Sequence, residues 1–208
     1  MKNAKLALCI AVAAVLWFIM FSPWTAPHIN FWYMMTASAA ILITLSVCFG
    51  EWKGRNGKRF SLPFTLFCAV AIAVALWMAF WIGDKLSQLM FDFARPQVDL
   101  IYSIKGSTSK IYIALALLFI IGPAEELFWR GYIQEFMQQR LGKNLGFVVA
   151  TLVYTLIHIW SFNFMLIMAA LVCGVCWGLL YRIDRRLLPA LIISHALWDT
   201  AAFVVFPF

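Results

Sequence analysis

Seven runs of apolar residues divide this chain: Leu6–Ser22, Phe31–Gly50, Leu62–Ile82, Ile111–Trp129, Leu145–Trp160, Phe162–Tyr181 and Leu187–Phe206. Each is close to the roughly 20 residues that an α-helix needs to cross the hydrocarbon core of a bilayer. No soluble globule of this size hides so much apolar surface. Of the 208 residues, 64% are hydrophobic and 12% charged, against about half and about a quarter in an ordinary soluble domain. The surplus must face lipid. The expected fold class is all-α: a polytopic membrane helical bundle of about seven transmembrane helices, forming one domain over residues 1–208. The same composition excludes a disordered chain, a collagen, a coiled coil and a small disulfide scaffold.

The net charge of +7 is not a nucleic-acid footprint, and no nucleic-acid partner is expected. The basic residues stand in short runs between apolar stretches: Lys2 and Lys5, then Lys53, Arg55, Lys58 and Arg59, then Arg140 and Lys143, then Arg182, Arg185 and Arg186. The loops Pro23–Asn30 and Ser161–Asn163 carry no Lys or Arg. Positive charge is retained on the cytoplasmic side, so the N-terminus is expected in the cytoplasm and the C-terminus outside. That arrangement requires an odd number of spans. The first run is long for a signal sequence, and Pro23-Trp24 replaces a small-residue cleavage site, so it reads as an uncleaved span.

Four local expectations follow. Gly122-Pro123 should bend the fourth helix or end it, with a fresh helix starting at Pro123. Residues Asp84–Ala94 mix apolar and charged positions and read as an interfacial helix that Pro96 would end. The five cysteines lie within apolar stretches, and the Cys173–Cys176 pair reads as packing rather than as a zinc or redox site. The tryptophans, among them Trp17, Trp24, Trp32, Trp77, Trp81 and Trp160, read mostly as interfacial belt and lipid-facing filler.

A few charges fall where lipid would penalise them. Glu125, Glu126 and Arg130 sit in or just beyond the fourth run, His158 in the fifth, and His195 and Asp199 in the seventh. A charged group at mid-bilayer costs about 2.5–3.5 kcal/mol on insertion scales, so such groups face the bundle interior, find partners and are functional candidates. Glu126 and Arg130 are four residues apart and can pair on one helical face. Glu125 is turned about 100° from Glu126 and points elsewhere. One carboxylate then serves as an ion-pair partner and the other stays free for acid–base chemistry. His195 and Asp199 are also four apart and share a face. Rise arithmetic puts Glu125, His158 and His195 within about 10 Å in depth, which permits them to converge.

The segment Pro123-Ala124-Glu125-Glu126-Leu127-Phe128-Trp129-Arg130 resembles the EExxxR motif of the CPBP family, the CaaX-protease and bacteriocin-processing membrane proteins also called Abi. Tyr154-Thr155-Leu156-Ile157-His158 resembles its FxxxH motif, with Tyr for Phe. His195-Ala196-Leu197-Trp198-Asp199 resembles its Hxxx(N/D) motif. The three occur in the family's order within residues 111–208, the expected catalytic core, while residues 1–110 resemble the family only as hydrophobic helices.

The resemblance implies a glutamic-type intramembrane endopeptidase. By motif, Glu125 would be the general base that activates water, and His158 would hold and polarise that water. Glu126 and Arg130 would form the supporting pair, and His195 with Asp199 would serve the oxyanion. Asp199 stands where the eukaryotic CaaX proteases have Asn, and an ionised Asp cannot donate a hydrogen bond. It is expected either to orient His195, leaving the imidazole as donor, or to act protonated. No metal or cofactor is expected, although His158, His195 and a carboxylate are donors that zinc also uses.

The implied partners are the lipid bilayer and a protein substrate carrying a C-terminal membrane anchor or lipidated tail. The preferred specialisation is removal of C-terminal sorting tails by a bacterial, myxosortase-like member in the cytoplasmic membrane. The alternatives are a prenyl-protein endopeptidase, a non-catalytic bacteriocin-immunity or scaffold protein, and a proton-coupled transporter. The last is disfavoured by the lack of an inverted repeat or of paired broken helices.

Overall fold

The computed structural model describes residues 2–50 and 60–208. The basic cluster Lys53, Arg55, Lys58 and Arg59 lies outside the described residues. The chain forms α1 (Lys2–Phe21), α2 (Phe31–Phe49), α3 (Leu62–Met90), α4 (Ala94–Ser103), α5 (Lys110–Leu141), α6 (Lys143–Ser161), α7 (Phe164–Ile183) and α8 (Arg185–Val205). All but α4 are long and apolar enough to cross a membrane, which makes seven such helices among the described residues. The protein is a multi-pass all-α membrane bundle.

Local chemistry sets the helix ends. Asn30 accepts hydrogen bonds from the amides of Trp32 and Tyr33 and starts α2. Asn163 accepts from the Leu166 amide and starts α7. Each thereby satisfies donors that a helix N-terminus leaves unpaired. Asp184 does the same for Arg186 at the start of α8, and hydrogen bonds from the Arg186 side chain hold its carboxyl below the usual carboxylate range. Between α5 and α6 the only connecting residue is Gly142, whose φ of 82° lies in the region that glycine enters without steric cost.

α5 runs through the middle of the bundle without breaking. Two π-helical stretches, Leu117–Ile121 and Leu127–Gln134, flank the turn Gly122–Glu126. The Gly122 amide reaches back to the Leu117 carbonyl, and the Glu135 amide to that of Arg130, each five residues away. Of the two outcomes expected at Gly122-Pro123, a single bent helix or a fresh start at Pro123, the fresh start does not occur. Proline lacks an N–H, and wider hydrogen-bonded turns on either side absorb the missing donor.

The second correction concerns α3 and α4. The third apolar helix continues through Asp84 and Lys85 to Met90, and the short helix at the bundle end covers 94–103 rather than 84–94. Pro96 lies in the first turn of α4 instead of ending a helix there. A first-turn N–H has no intrahelical partner, so nothing is lost by its absence.

Helix α8 packs between α3 and the central turn of α5, α6 lies against α7, and α1 packs on α2 and on the end of α6 that carries His158. The outward face of α3, with Leu62, Phe67, Val70, Val74 and Met78, is exposed and apolar, as a lipid-facing surface must be. Successive helices alternate in direction, so Arg140, Lys143, Arg182, Arg185 and Arg186 gather at one end of the bundle, called here the basic end. α4 and the α6–α7 turn lie at the other, the far end.

In the centre, the backbones of α5 and α8 approach closely. A Cβ placed on Gly122 would lie 2.8 Å from the Ala196 Cα and 2.9 Å from its nitrogen. Gly122→Ala should therefore push α8 away from the Glu125–Glu126 turn. Overpacking of this kind costs about 1–3 kcal/mol, read as a lowered unfolding midpoint in detergent. An unchanged midpoint would show that the two helices slide apart freely.

Candidate active site

A cavity of about 520 Å³ occupies the far half of the bundle. Its wall includes Glu125 from α5, Tyr154 and His158 from α6, and His195 and Asp199 from α8. Leu86, Met90 and Phe164 also line it and are exposed, so the mouth lies where α3 and α7 reach the far end. Among the described residues, the wall takes none from the basic-end turns of α5, α6, α7 or α8.

The two neighbouring glutamates diverge as helical geometry requires. Glu126 is fully buried and turns into the α5–α8 contact. Its Oε1 accepts from Arg130 Nη1 at 2.8 Å and lies 2.8 Å from His195 Nδ1. Its Oε2 is buried with no partner among the described residues. Arg130 is enclosed as well: Nη2 donates to the Cys173 carbonyl at 3.3 Å, and its guanidinium lies 4.8 Å from the Tyr154 ring centre and 5.6 Å from that of Trp177. Glu125 instead faces the cavity and accepts a hydrogen bond from the Tyr154 hydroxyl at 3.4 Å.

His195 is held on three sides. Nδ1 meets Glu126, Nε2 lies 3.4 Å from Asp199 Oδ2, and the ring stacks on Trp177 at 3.9 Å with 17° between planes. Trp177 is fixed in turn by donating to the Ser194 hydroxyl. Carboxylates at both nitrogens and an indole against one face leave the imidazole little freedom to rotate.

His158 is fixed in one tautomer. Its Nδ1 lies 2.9 Å from the Tyr154 carbonyl, which can only accept, so Nδ1 carries the hydrogen. Nε2 accepts from the Trp17 indole N–H at 3.0 Å. Trp17 belongs to α1, is 1% exposed and meets Trp129 edge-on. It is not belt or filler. Trp32 is likewise buried, whereas Trp24 and Trp81 are exposed as a belt requires. Trp17→Phe strips the buried Nε2 of its donor. An unmet buried acceptor costs about 1–3 kcal/mol, so the unfolding midpoint should fall, and an unchanged midpoint would mean that another donor reaches Nε2.

The structure thus brings Glu125, His158, His195 and Asp199 to one cavity and places Glu126 and Arg130 directly behind it. Sequence reasoning missed Trp17, Tyr154 as a partner of Glu125, and two buried acids. One is Asp84, on the cavity wall. The other is Glu135, which accepts from the Tyr181 hydroxyl at 2.7 Å, lies 3.4 Å from Arg185, and ties α5, α7 and α8 together at the basic end. Cys173 and Cys176 are free thiols. No group of three metal-ligating side chains occurs among the described residues.

No curated protein and no solved structure matches the chain. Residues 107–201, a little under half of the 208, match the family model described as type II CAAX prenyl endopeptidase Rce1-like. That segment carries all six polar residues of the three motifs. By this match residues 107–201 are similar to the Rce1-like CAAX endopeptidases, intramembrane peptidases of the CPBP family that act on protein substrates.

Proposed function

We propose that this peptidase cuts its substrate with a water activated by Glu125 inside the far-end cavity. One observation carries the reading: helices α5, α6 and α8 bring a carboxylate and two imidazoles to a single apolar chamber, and that carboxylate makes no ion pair among the described residues, while its neighbour Glu126 pairs with Arg130 and lies against His195.

In this reading Glu125 takes a proton from water as the oxygen attacks the scissile carbonyl, and returns it to the amine as the C–N bond breaks. His158 holds the water once the Trp17 N–H yields Nε2. Glu126 fixes Nδ1 of His195 at 2.8 Å. The contact to Asp199 is longer, at 3.4 Å, and leaves the Nε2 hydrogen of the fixed ring available to a developing oxyanion beside it. Asp199 then acts through His195, as an orienting acid rather than as a donor.

The described wall reaches the far end and none of the basic-end turns of α5 to α8, which suits hydrolysis better than a relay across the membrane. With the basic end in the cytoplasm, the mouth opens outside, and in a bacterium the chain would lie in the cytoplasmic membrane. A substrate whose C-terminal anchor approaches sideways through lipid could enter between α3 and α7, which supports removal of membrane-anchoring tails. The family description favours a second substrate class, the prenylated CAAX tail.

The test uses protein reconstituted in liposomes with two peptides, one bearing a transmembrane tail and one a prenylated C-terminus, and mass spectrometry of the products. Cleavage of the first next to its apolar segment supports tail removal. Cleavage of the prenylated peptide alone replaces that specialisation with the second. Cleavage of neither would end both.

A further inference from the structure

Asp84 is a carboxylate that the mechanism leaves unused. It lies six residues before the end of α3, is 7% exposed, and belongs to the wall of the same cavity. Its Oδ2 accepts from Gln88 Nε2 at 2.6 Å and lies 3.6 Å from Lys85 Nζ. Its Oδ1 is buried with no partner among the described residues.

The polar side chains nearby have partners other than Oδ1. The Ser87 hydroxyl donates to the Asp84 carbonyl. Arg95 is bound to Asp99 and to the Phe208 carbonyl. The Tyr102 hydroxyl accepts from the Phe208 amide. Most of the wall that α3 and α4 supply at the far end is hydrocarbon, among it Leu86, Met90, Val98 and Ile101.

A buried carboxylate oxygen without a donor is unfavourable, and it becomes favourable when a cation arrives. The surroundings say which cation. No cluster of three metal-ligating side chains occurs among the described residues, and one carboxylate alone is a poor metal site. An apolar wall ending in a single carboxylate matches a hydrocarbon stem with a charged tip, the form of Lys or Arg.

We propose that Asp84 is a specificity-determining residue that receives a lysine or arginine side chain of the protein substrate beside its scissile segment. The stem of that side chain lies on Leu86, Met90 and Ile101, and its charged group donates to Oδ1. The inference rests on the proteolytic reading of the cavity. It adds a requirement for substrate chemistry: an apolar segment with a basic residue at its far-end flank.

The test compares peptides with Lys or isosteric norleucine at each flanking position. Affinity is measured on the Glu125→Gln variant and cleavage on the otherwise unaltered protein. A charge-assisted hydrogen bond in a dry site is worth about tenfold or more. At one position the Lys peptide should bind and be cut at least about tenfold better than norleucine, and Asp84→Asn should bring the ratio near one. Asp84→Lys should reverse it, favouring a Glu peptide. Equal handling of Lys and norleucine by the unaltered protein, or the same ratio in Asp84→Asn, overturns the proposal. Undiminished cleavage by Glu125→Gln would remove the assigned base, and the affinity ratio would still decide Asp84.

Discussion

Glu126→Ala should be the most destabilising single substitution in the polar centre, lowering stability by about 3–5 kcal/mol, the cost of stranding one half of a buried ion pair. Arg130 is 2% exposed and would keep only the Cys173 carbonyl and the two aromatic faces as partners. His195 would lose its 2.8 Å contact at the same time. Removing both charges is a different matter. In Glu126→Leu combined with Arg130→Met no charge is left stranded, and well-packed apolar replacements of buried pairs are often neutral or better. The double variant should therefore recover most of the loss, with a coupling of about 2–3 kcal/mol between the sites. It should still cleave poorly, because nothing then fixes Nδ1 of His195. Unfolding in detergent together with a cleavage assay reads both parts. Additive losses would show that the two residues stabilise the bundle separately.

Recovery of stability without recovery of activity would separate two roles that sequence spacing merges. The four-residue interval told that Glu126 and Arg130 share a face, and they pair as expected. The interval between His195 and Asp199 likewise ends in a 3.4 Å contact. Intervals along one helix were legible because helical geometry fixes them. The contact of Glu126 with His195 was not, because it depends on how closely α5 and α8 approach, and that closeness rests on the missing side chain of Gly122.

Trp17 was misread for a related reason. Its position near the end of an apolar run suits a belt, and only the packed face of α1 decides otherwise. A signal existed: Cys9, Ala13, Trp17 and Met20 recur at helical spacing, and all are buried. Asp84 was hidden by the charges around it, which suggested that the helix had left the membrane, whereas α3 carries them on to Met90. The number of helices, by contrast, follows from apolar length alone, which side-chain packing does not alter.

Glu125→Gln should abolish detectable turnover while leaving the fold and substrate capture intact. The amide keeps the shape of the side chain and an acceptor for the Tyr154 hydroxyl, which now donates to Glu125 Oε2 at 3.4 Å. Glu125 also makes no ion pair among the described residues, so no charge is stranded and the unfolding midpoint should hardly move. What disappears is the base. A positioned general base contributes about 10²–10⁴-fold, and the loss should fall on kcat with KM nearly unchanged, since an interaction made only in the transition state is being removed. Tyr154→Phe is the informative companion. It removes the hydroxyl, keeps the ring against Arg130 and His158, and installs the residue that the motif carries in the family it resembles. Its kcat should change by only a few fold, because the neutral hydrogen bond it deletes is long and weak. If Glu125→Gln and Tyr154→Phe lower kcat equally, the hydroxyl shares the proton transfer and Glu125 is not the sole base. If Glu125→Gln cleaves as fast as the unaltered chain, the water is activated elsewhere in the cavity, and His158, freed from Trp17, becomes the group to test.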